Sequence, residues 1–190
     1  MTNALSVDRL VQNLLRDEPV LFPTDTVPAL AIRPSAAERI WTLKQRPAHK
    51  PLILMGADQV QLEMALPGPW LPEWREEAQR VWPGAVTLVL PASGLLVQAL
   101  NPGGKSLGLR VPDCTLSQAL LRQSGPLAST SVNLSGQPPA LTAEEASRMF
   151  PDLALLGPLP WPSGSGIPSE VRAWSSGGWS LLRAQPSKMG

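Results

Sequence analysis

Pro126-Leu127-Ala128-Ser129-Thr130-Ser131-Val132-Asn133-Leu134-Ser135-Gly136 begins as a strand and ends as a polar turn. Small and β-branched residues follow Gly125-Pro126. Hydroxyls and one amide come next, before Gly136 and the Pro138-Pro139 break. Ser, Thr and Asn compete for backbone hydrogen bonds and favour turns. A strand that ends this way presents neutral donors and acceptors at a sheet edge, where ligands sit in open α/β sheets. By composition alone the stretch is equally a polar turn.

Strand and helix signals alternate on both sides of it. Val7, Leu10, Val11, Leu14 and Leu15 share one face of a helix over Ser6 to Arg16. Pro19 to Phe22 reads as a strand broken by Pro23-Thr24-Asp25-Thr26. Ser35-Ala36-Ala37-Glu38 has the form of a capping box, opening a helix toward Arg46. Leu52 to Met55 is a strand, Asp58 caps a helix to Leu66, and Pro72 to Val81 is helical. Strands follow at Ala85 to Leu90 and Ser106 to Val111, separated by the turn Asn101-Pro102-Gly103-Gly104. Thr115 to Gln123 is helical, Leu127 to Ser131 returns to the sheet, and Thr142 to Glu145 is a second capping box. Leu153 to Leu156, Ser169 to Trp174 and Trp179 to Arg183 close the chain as strands. The pattern predicts an α/β fold, a single-domain twisted, mostly open mixed β-sheet with flanking helices. The domain is expected to span residues 1–184, with a frayed tail over 185–190.

The composition narrows the function classes. A chain of 190 residues fits one domain with a substantial core, and its net charge of +1 draws it to neither nucleic acid nor membrane. The single Cys114 excludes an intramolecular disulfide and suits packing better than nucleophilic attack. Met1 to Arg16 lacks a signal-peptide pattern and no apolar run reaches membrane length, so a cytoplasmic location is expected. The 22 prolines are scattered and punctuate short elements. With His49 as the one imidazole, a Ser-His-Asp triad and a transition-metal site are not expected. Gly104-Lys105-Ser106 fails as a P-loop, because Ala99 replaces the required Gly and a strand follows the Lys.

The remaining candidates are cations and hydroxyls. Lys44, Arg46 and Lys50 lie at a helix C-terminus and the loop after it. They are either solvated partners of the helix dipole or, with Pro47 and Pro51 fixing the loop, a polyphosphate clamp. Arg110 interrupts the apolar run Leu107 to Val111, so it pairs with an internal carboxylate or faces a cavity and a carboxylate ligand. Thr24 and Thr26 frame Asp25 in what is otherwise a polar turn. Trp82-Pro83-Gly84 reads as a structural turn.

Ser129 to Gly136 resembles the S/T-x-S-A-N-x-S/T-G signature of the YrdC/Sua5 family, the threonylcarbamoyl-AMP synthases. Further motifs occur in that family's order: Pro23-Thr24-Asp25-Thr26-Val27, then Lys44-Gln45-Arg46-Pro47 with Lys50-Pro51-Leu52-Ile53. Trp82-Pro83-Gly84 with Thr87-Leu88-Val89-Leu90 and Leu109-Arg110-Val111-Pro112 follow. The resemblance implies a nucleotidyltransferase that makes L-threonylcarbamoyl-adenylate from L-threonine, bicarbonate and ATP, releasing pyrophosphate. It implies ATP as substrate, Mg²⁺ carried by the nucleotide, no protein-held metal, and downstream tRNA-modification proteins as partners. By the same resemblance Lys44 and Arg46 are catalytic and Thr26, Arg110, Ser131 and Ser169 bind threonine. Arg46, Lys50, Ser106, Ser129, Asn133 and Arg183 face the nucleotide. The chain departs from the family in having Pro28-Ala29 where Tyr-Gly is usual, and it contains no Tyr. The second domain of longer Sua5 proteins is not expected here. Two rival readings use the same concave face: a non-catalytic module that grips tRNA or double-stranded RNA, and a carbamoyl-adenylate activity on another substrate, as in hydrogenase maturation proteins.

Overall fold

The computed structural model describes residues 3–47, 50–66 and 68–185; His49 and residues 186–190 of the expected tail lie outside these. The strands are β1 (Ala4–Leu5), β2 (Val20–Phe22), β3 (Ala29–Ile32), β4 (Ile53–Met55), β5 (Val86–Pro91), β6 (Ser106–Arg110), β7 (Leu127–Ser131), β8 (Ala154–Leu156), β9 (Glu170–Ser175) and β10 (Gly178–Arg183). The helices are α1 (Val7–Leu15), α2 (Glu38–Leu43), α3 (Gln59–Ala65), α4 (Pro72–Val81), α5 (Leu95–Leu100), α6 (Thr115–Ser124) and α7 (Ala143–Met149). All ten strands form one sheet in the order β1-β8-β2-β3-β7-β4-β6-β5-β9-β10. It is mixed: β4 runs parallel to β6 and antiparallel to β7, and β5 runs parallel to β9 and antiparallel to β6.

Alternation along the central strands builds two cores, one on each face. Val20, Phe22, Ala29 and Ala31 pack with Leu10 and Leu14 of α1 and Leu120 and Leu121 of α6. Leu21, Leu30 and Ile32 point the other way, into a larger core with Ile40, Trp41, Leu54, Leu62 and Leu88. Each such buried aliphatic side chain contributes about 1.5–3 kcal/mol. Strands covered on both faces lose the polar half of their pattern. For that reason β3, an unbroken Ala-Leu-Ala-Ile run, was not foreseen as a strand, and neither was the two-residue β1.

The expected caps divide. Asp58 accepts from the Gln61 amide at 2.8 Å and Thr142 from the Glu145 amide at 3.2 Å, both as expected. The Ser35 box does not form. Residues 34–36 make a 3₁₀ turn, Ala37 is already helical in backbone conformation, and α2 starts at Glu38 with no side-chain cap. The apolar helix α5, between β5 and β6, was also not foreseen.

Candidate active site

Past the area covered by α1 and α6, the same face of the sheet carries Ser129 and Ser131 on β7, Ile53 and Met55 on β4, Arg110 on β6 and Thr87 on β5. All line one cavity. Thr24, Thr26, Val27, Pro28 and Ala29 form one wall, Pro168 and Ser169 another, and Arg46 and Arg183 complete it. Its floor depends on a glycine. Gly108 pairs with Ile53, and a Cβ there would stand 2.9 Å from Ile53 Cγ2 and 3.3 Å from Thr87 Cγ2.

The loop after β2 is a hydrogen-bonded knot. Thr24 Oγ1 lies 2.9 Å from Thr26 Oγ1, donates to the Val27 carbonyl at 2.8 Å and accepts from the Thr26 amide. The segment before β9 braces it from outside. The Ser165 amide donates to the Asp25 carbonyl at 2.9 Å and the Gly166 amide to the Thr26 carbonyl at 3.0 Å. Gly164 is pressed so close that a Cβ would fall 2.3 Å from the Thr26 carbonyl oxygen.

Arg110 satisfies both sequence alternatives together. Its Nη2 donates to Asp25 Oδ1 at 2.6 Å, Nη1 to Thr26 Oγ1 at 2.8 Å and Nε to the Gly84 carbonyl at 3.1 Å. Three of a guanidinium's five N–H donors are thus engaged and two remain for a ligand. Burial pushes its pKa down, and the Asp25 carboxylate opposes that. Asp25 also accepts from the Asp113 amide at 3.1 Å. Asp25 and the Gly84 carbonyl, turn features by sequence, hold Arg110 in place.

The α2 terminus sets the next two cations. The Gln45 amide donates to the Thr42 carbonyl at 3.1 Å and the Arg46 amide to the Trp41 carbonyl at 2.8 Å, with Gln45 at φ 50°, a Schellman stop. This stop turns Lys44 inward and sends Arg46 to the cavity. Lys44 is fully buried, and its ammonium donates to the Ser131 carbonyl, to Asn133 Oδ1 at 2.8 Å and to Thr130 Oγ1 at 3.5 Å. Burial, and then the charge of Arg46, pull its pKa from 10.5 to about 7. Asn133 Oδ1 accepts from Ser131 Oγ as well, at 2.7 Å. Arg46 Nη2 rests on the Pro51 carbonyl at 3.1 Å, and partial burial lowers its pKa too.

At the far wall Ser169 Oγ lies 2.8 Å from Thr87 Oγ1, and Arg183 donates to the Ser169 carbonyl through Nε at 3.0 Å and Nη2 at 2.8 Å. Thr87 was missed as a site residue, although a lone Thr in the apolar run of β5 was a signal. Ser129 is 1% exposed and its hydroxyl has no partner. A buried hydroxyl left unpaired costs about 1–3 kcal/mol. The other unpartnered buried side-chain atoms among the described residues, the Trp70 and Trp74 indole nitrogens, sit in an aromatic cluster outside the cavity.

The structure therefore gathers Thr26, Arg46, Arg110, Ser129, Ser131, Ser169 and Arg183 around one space. Lys44 and Asn133 stand one layer behind it. Lys50 is exposed, with its carbonyl taken by the Trp41 indole N–H at 3.0 Å, and Ser106 pairs with Pro91 at the outer end of β6; neither lines the cavity.

The Sua5/YciO/YrdC family model, described as "Telomere recombination", matches residues 12–185. The chain belongs to this family. Across 176 residues it is 38% identical to the threonylcarbamoyl-AMP synthase of Yersinia enterocolitica, covering 90% of this chain and 92% of that one. It is 37% identical to the threonylcarbamoyl-AMP synthase of Bacillus subtilis, covering 90% of this chain but 50% of the relative. The crystal structure of Pyrococcus abyssi Sua5 complexed with L-threonine superposes with a TM-score of 0.86 at 28% identity, over 94% of this chain and 54% of that one. The chain thus spans about half of these longer family members and nearly the whole of the shorter one. The mixed sheet expected for a YrdC-like domain is the one observed, and the synthases it resembles are nucleotidyltransferase-type enzymes. Among the described residues no helix is long and apolar enough to cross a membrane.

Proposed function

We propose that the chain makes L-threonylcarbamoyl-adenylate from L-threonine, bicarbonate and ATP. One observation carries this reading. Arg46, Arg110 and Arg183 converge on a cavity whose described lining contains no carboxylate, with the Lys44 ammonium beneath it. The cations are close enough to repel, Arg46 acting on Lys44 and Arg183 on Arg110. Such a site favours a polyanion, because Asp25 balances Arg110 from behind while Lys44, Arg46 and Arg183 have no carboxylate partner among the described residues.

The reaction asks for positioning more than for acid–base chemistry. The threonine amine attacks bicarbonate, a C–N bond forms, and one oxygen leaves as water with an amine proton. A carbamate oxygen then attacks the α-phosphorus and the bond to pyrophosphate breaks. The two free N–H groups of Arg110, with Thr26 and Ser131, would hold threonine's carboxylate and hydroxyl, and Ser169 closes that side. Arg46 and Arg183 would take phosphate oxygens, with Lys44 and Asn133 fixing the loop that carries Ser131. The cavity, about 220 Å³, suits the reacting groups and would leave the nucleoside outside it. Mg²⁺ would arrive on the phosphates of the nucleotide. The adenylate would pass to tRNA-modifying proteins in the cytoplasm.

The test is pyrophosphate release with each reactant omitted in turn, beside thermal shifts with ATP, threonine and both. Release that needs all three reactants, and a joint shift above the sum of the single ones, is the expected result. Salt-dependent RNA binding without threonine-dependent release would replace this reading with an RNA-binding module.

A further inference from the structure

We infer that Ser129 seats the one-carbon reactant, bicarbonate and then the carbamate made from it, instead of the nucleotide. This assignment rests on the synthase reading above.

The cavity floor has three levels, marked by alternate residues of β4 and the segment leading into it. At the first, the Pro51 carbonyl carries the Arg46 guanidinium. At the second, Ile53 pairs with Ser129 on one side and with Gly108 on the other. At the third, Met55 pairs with Arg110. Successive same-face levels of a strand are about 7 Å apart. Ser129 therefore stands between the strand level of Arg46, one of the two cations suited to phosphate, and that of Arg110, the cation suited to the amino acid's carboxylate. In the bonded order of the product, the carbon from bicarbonate lies between the amine nitrogen and the α-phosphorus. The group at the middle level is the one placed to meet that carbon's oxygens.

Two further observations fit a small trigonal anion at that level. The Ser129 hydroxyl is buried, unpartnered and lines the cavity, with Ala31 and Ile53 as its lateral partners in the sheet. Beside it the floor is bare, because Gly108 cannot carry a side chain between Ile53 and Thr87. The hydroxyl would donate to the carbamate oxygen that does not attack phosphorus, holding the other toward it.

Ser129→Ala separates the possibilities. Pyrophosphate release with bicarbonate varied, at saturating ATP and threonine, should show KM for bicarbonate raised about ten- to a hundredfold. Calorimetry should show ATP affinity unchanged, and the melting temperature should stay at or above that of the parent. Weakened ATP binding with an unchanged bicarbonate KM would overturn the assignment and return Ser129 to the nucleotide. Unchanged values throughout would also overturn it. If the unmodified protein releases no pyrophosphate under any bicarbonate concentration, it is the synthase reading that has failed, and the Ser129 assignment falls with it.

Discussion

Asp25 and Arg110, 85 positions apart in sequence, meet in a 2.6 Å ion pair in which the arginine side chain is 5% exposed and the aspartate 16%. The pair fixes the guanidinium from behind and leaves its outer edge to the cavity. Asp25→Ala strands a buried cation and should cost about 3–5 kcal/mol of stability, read by urea unfolding. Threonine affinity should fall with it. Stability equal to that of the parent would show that Arg110 finds other compensation.

Lys44 makes stability depend on pH in an unusual direction for a lysine site. Its folded pKa, about 7, lies below the ordinary 10.5. Between these values the unfolded chain binds more protons, so stability rises with pH across the window and is lost again as pH falls toward about 7. Lys44→Met should flatten that rise in denaturation curves taken at several pH values. In the parent, ATP binding near pH 7.5 should draw in protons as the phosphates favour the charged lysine. Calorimetry in buffers of different ionisation enthalpy measures this uptake.

Arg46 is anchored by backbone carbonyls and has no carboxylate partner among the described residues, so its charge is available to substrate. Arg46→Ala should lower the pyrophosphate-release rate about a hundred- to a thousandfold, the loss seen when an electrostatic stabiliser is removed. Global stability should change little. A full-rate variant would rule out a transition-state role.

Gln45 holds a left-handed conformation, φ 50°, that glycine adopts without strain. Gln45→Gly should therefore stabilise the protein by about 1 kcal/mol, seen as a raised denaturation midpoint. A lowered midpoint would mean that the Gln45 side chain contributes more than its backbone costs.

Gly164 meets backbone, which cannot step aside as a flexible side chain would. Gly164→Ala should push the Thr24–Thr26 loop away and weaken threonine binding more than ATP binding, because Thr26 also orients Arg110. Titration of each ligand separately would show the difference.

The local motifs at Pro23–Val27, Lys44–Pro47, Leu109–Pro112 and Ser129–Gly136 were legible because each joins a strand or helix end to a polar turn, a contrast visible in composition. Their convergence was not, since it depends on strand order: β7 lies between β3 and β4, and no local pattern encodes that neighbour relation. Lys44 shows the limit within a single motif. Spacing placed it beside Arg46 at a helix end, but only the Schellman turn decides that one points inward and the other into the cavity. Ser35 matched a capping pattern in letters and lost to a 3₁₀ turn begun by Pro34. Asp25 and Thr87 were visible as polar residues but had no identifiable partner until the sheet assembled.

Arg183, which closes the cavity by gripping the Ser169 carbonyl, belongs to β10, the last strand among the described residues. A ribosome making this protein in sequence order completes β1 to β9 before the pocket has its third guanidinium. Translation products that stop short of β10 would carry the early loops without the completed clamp.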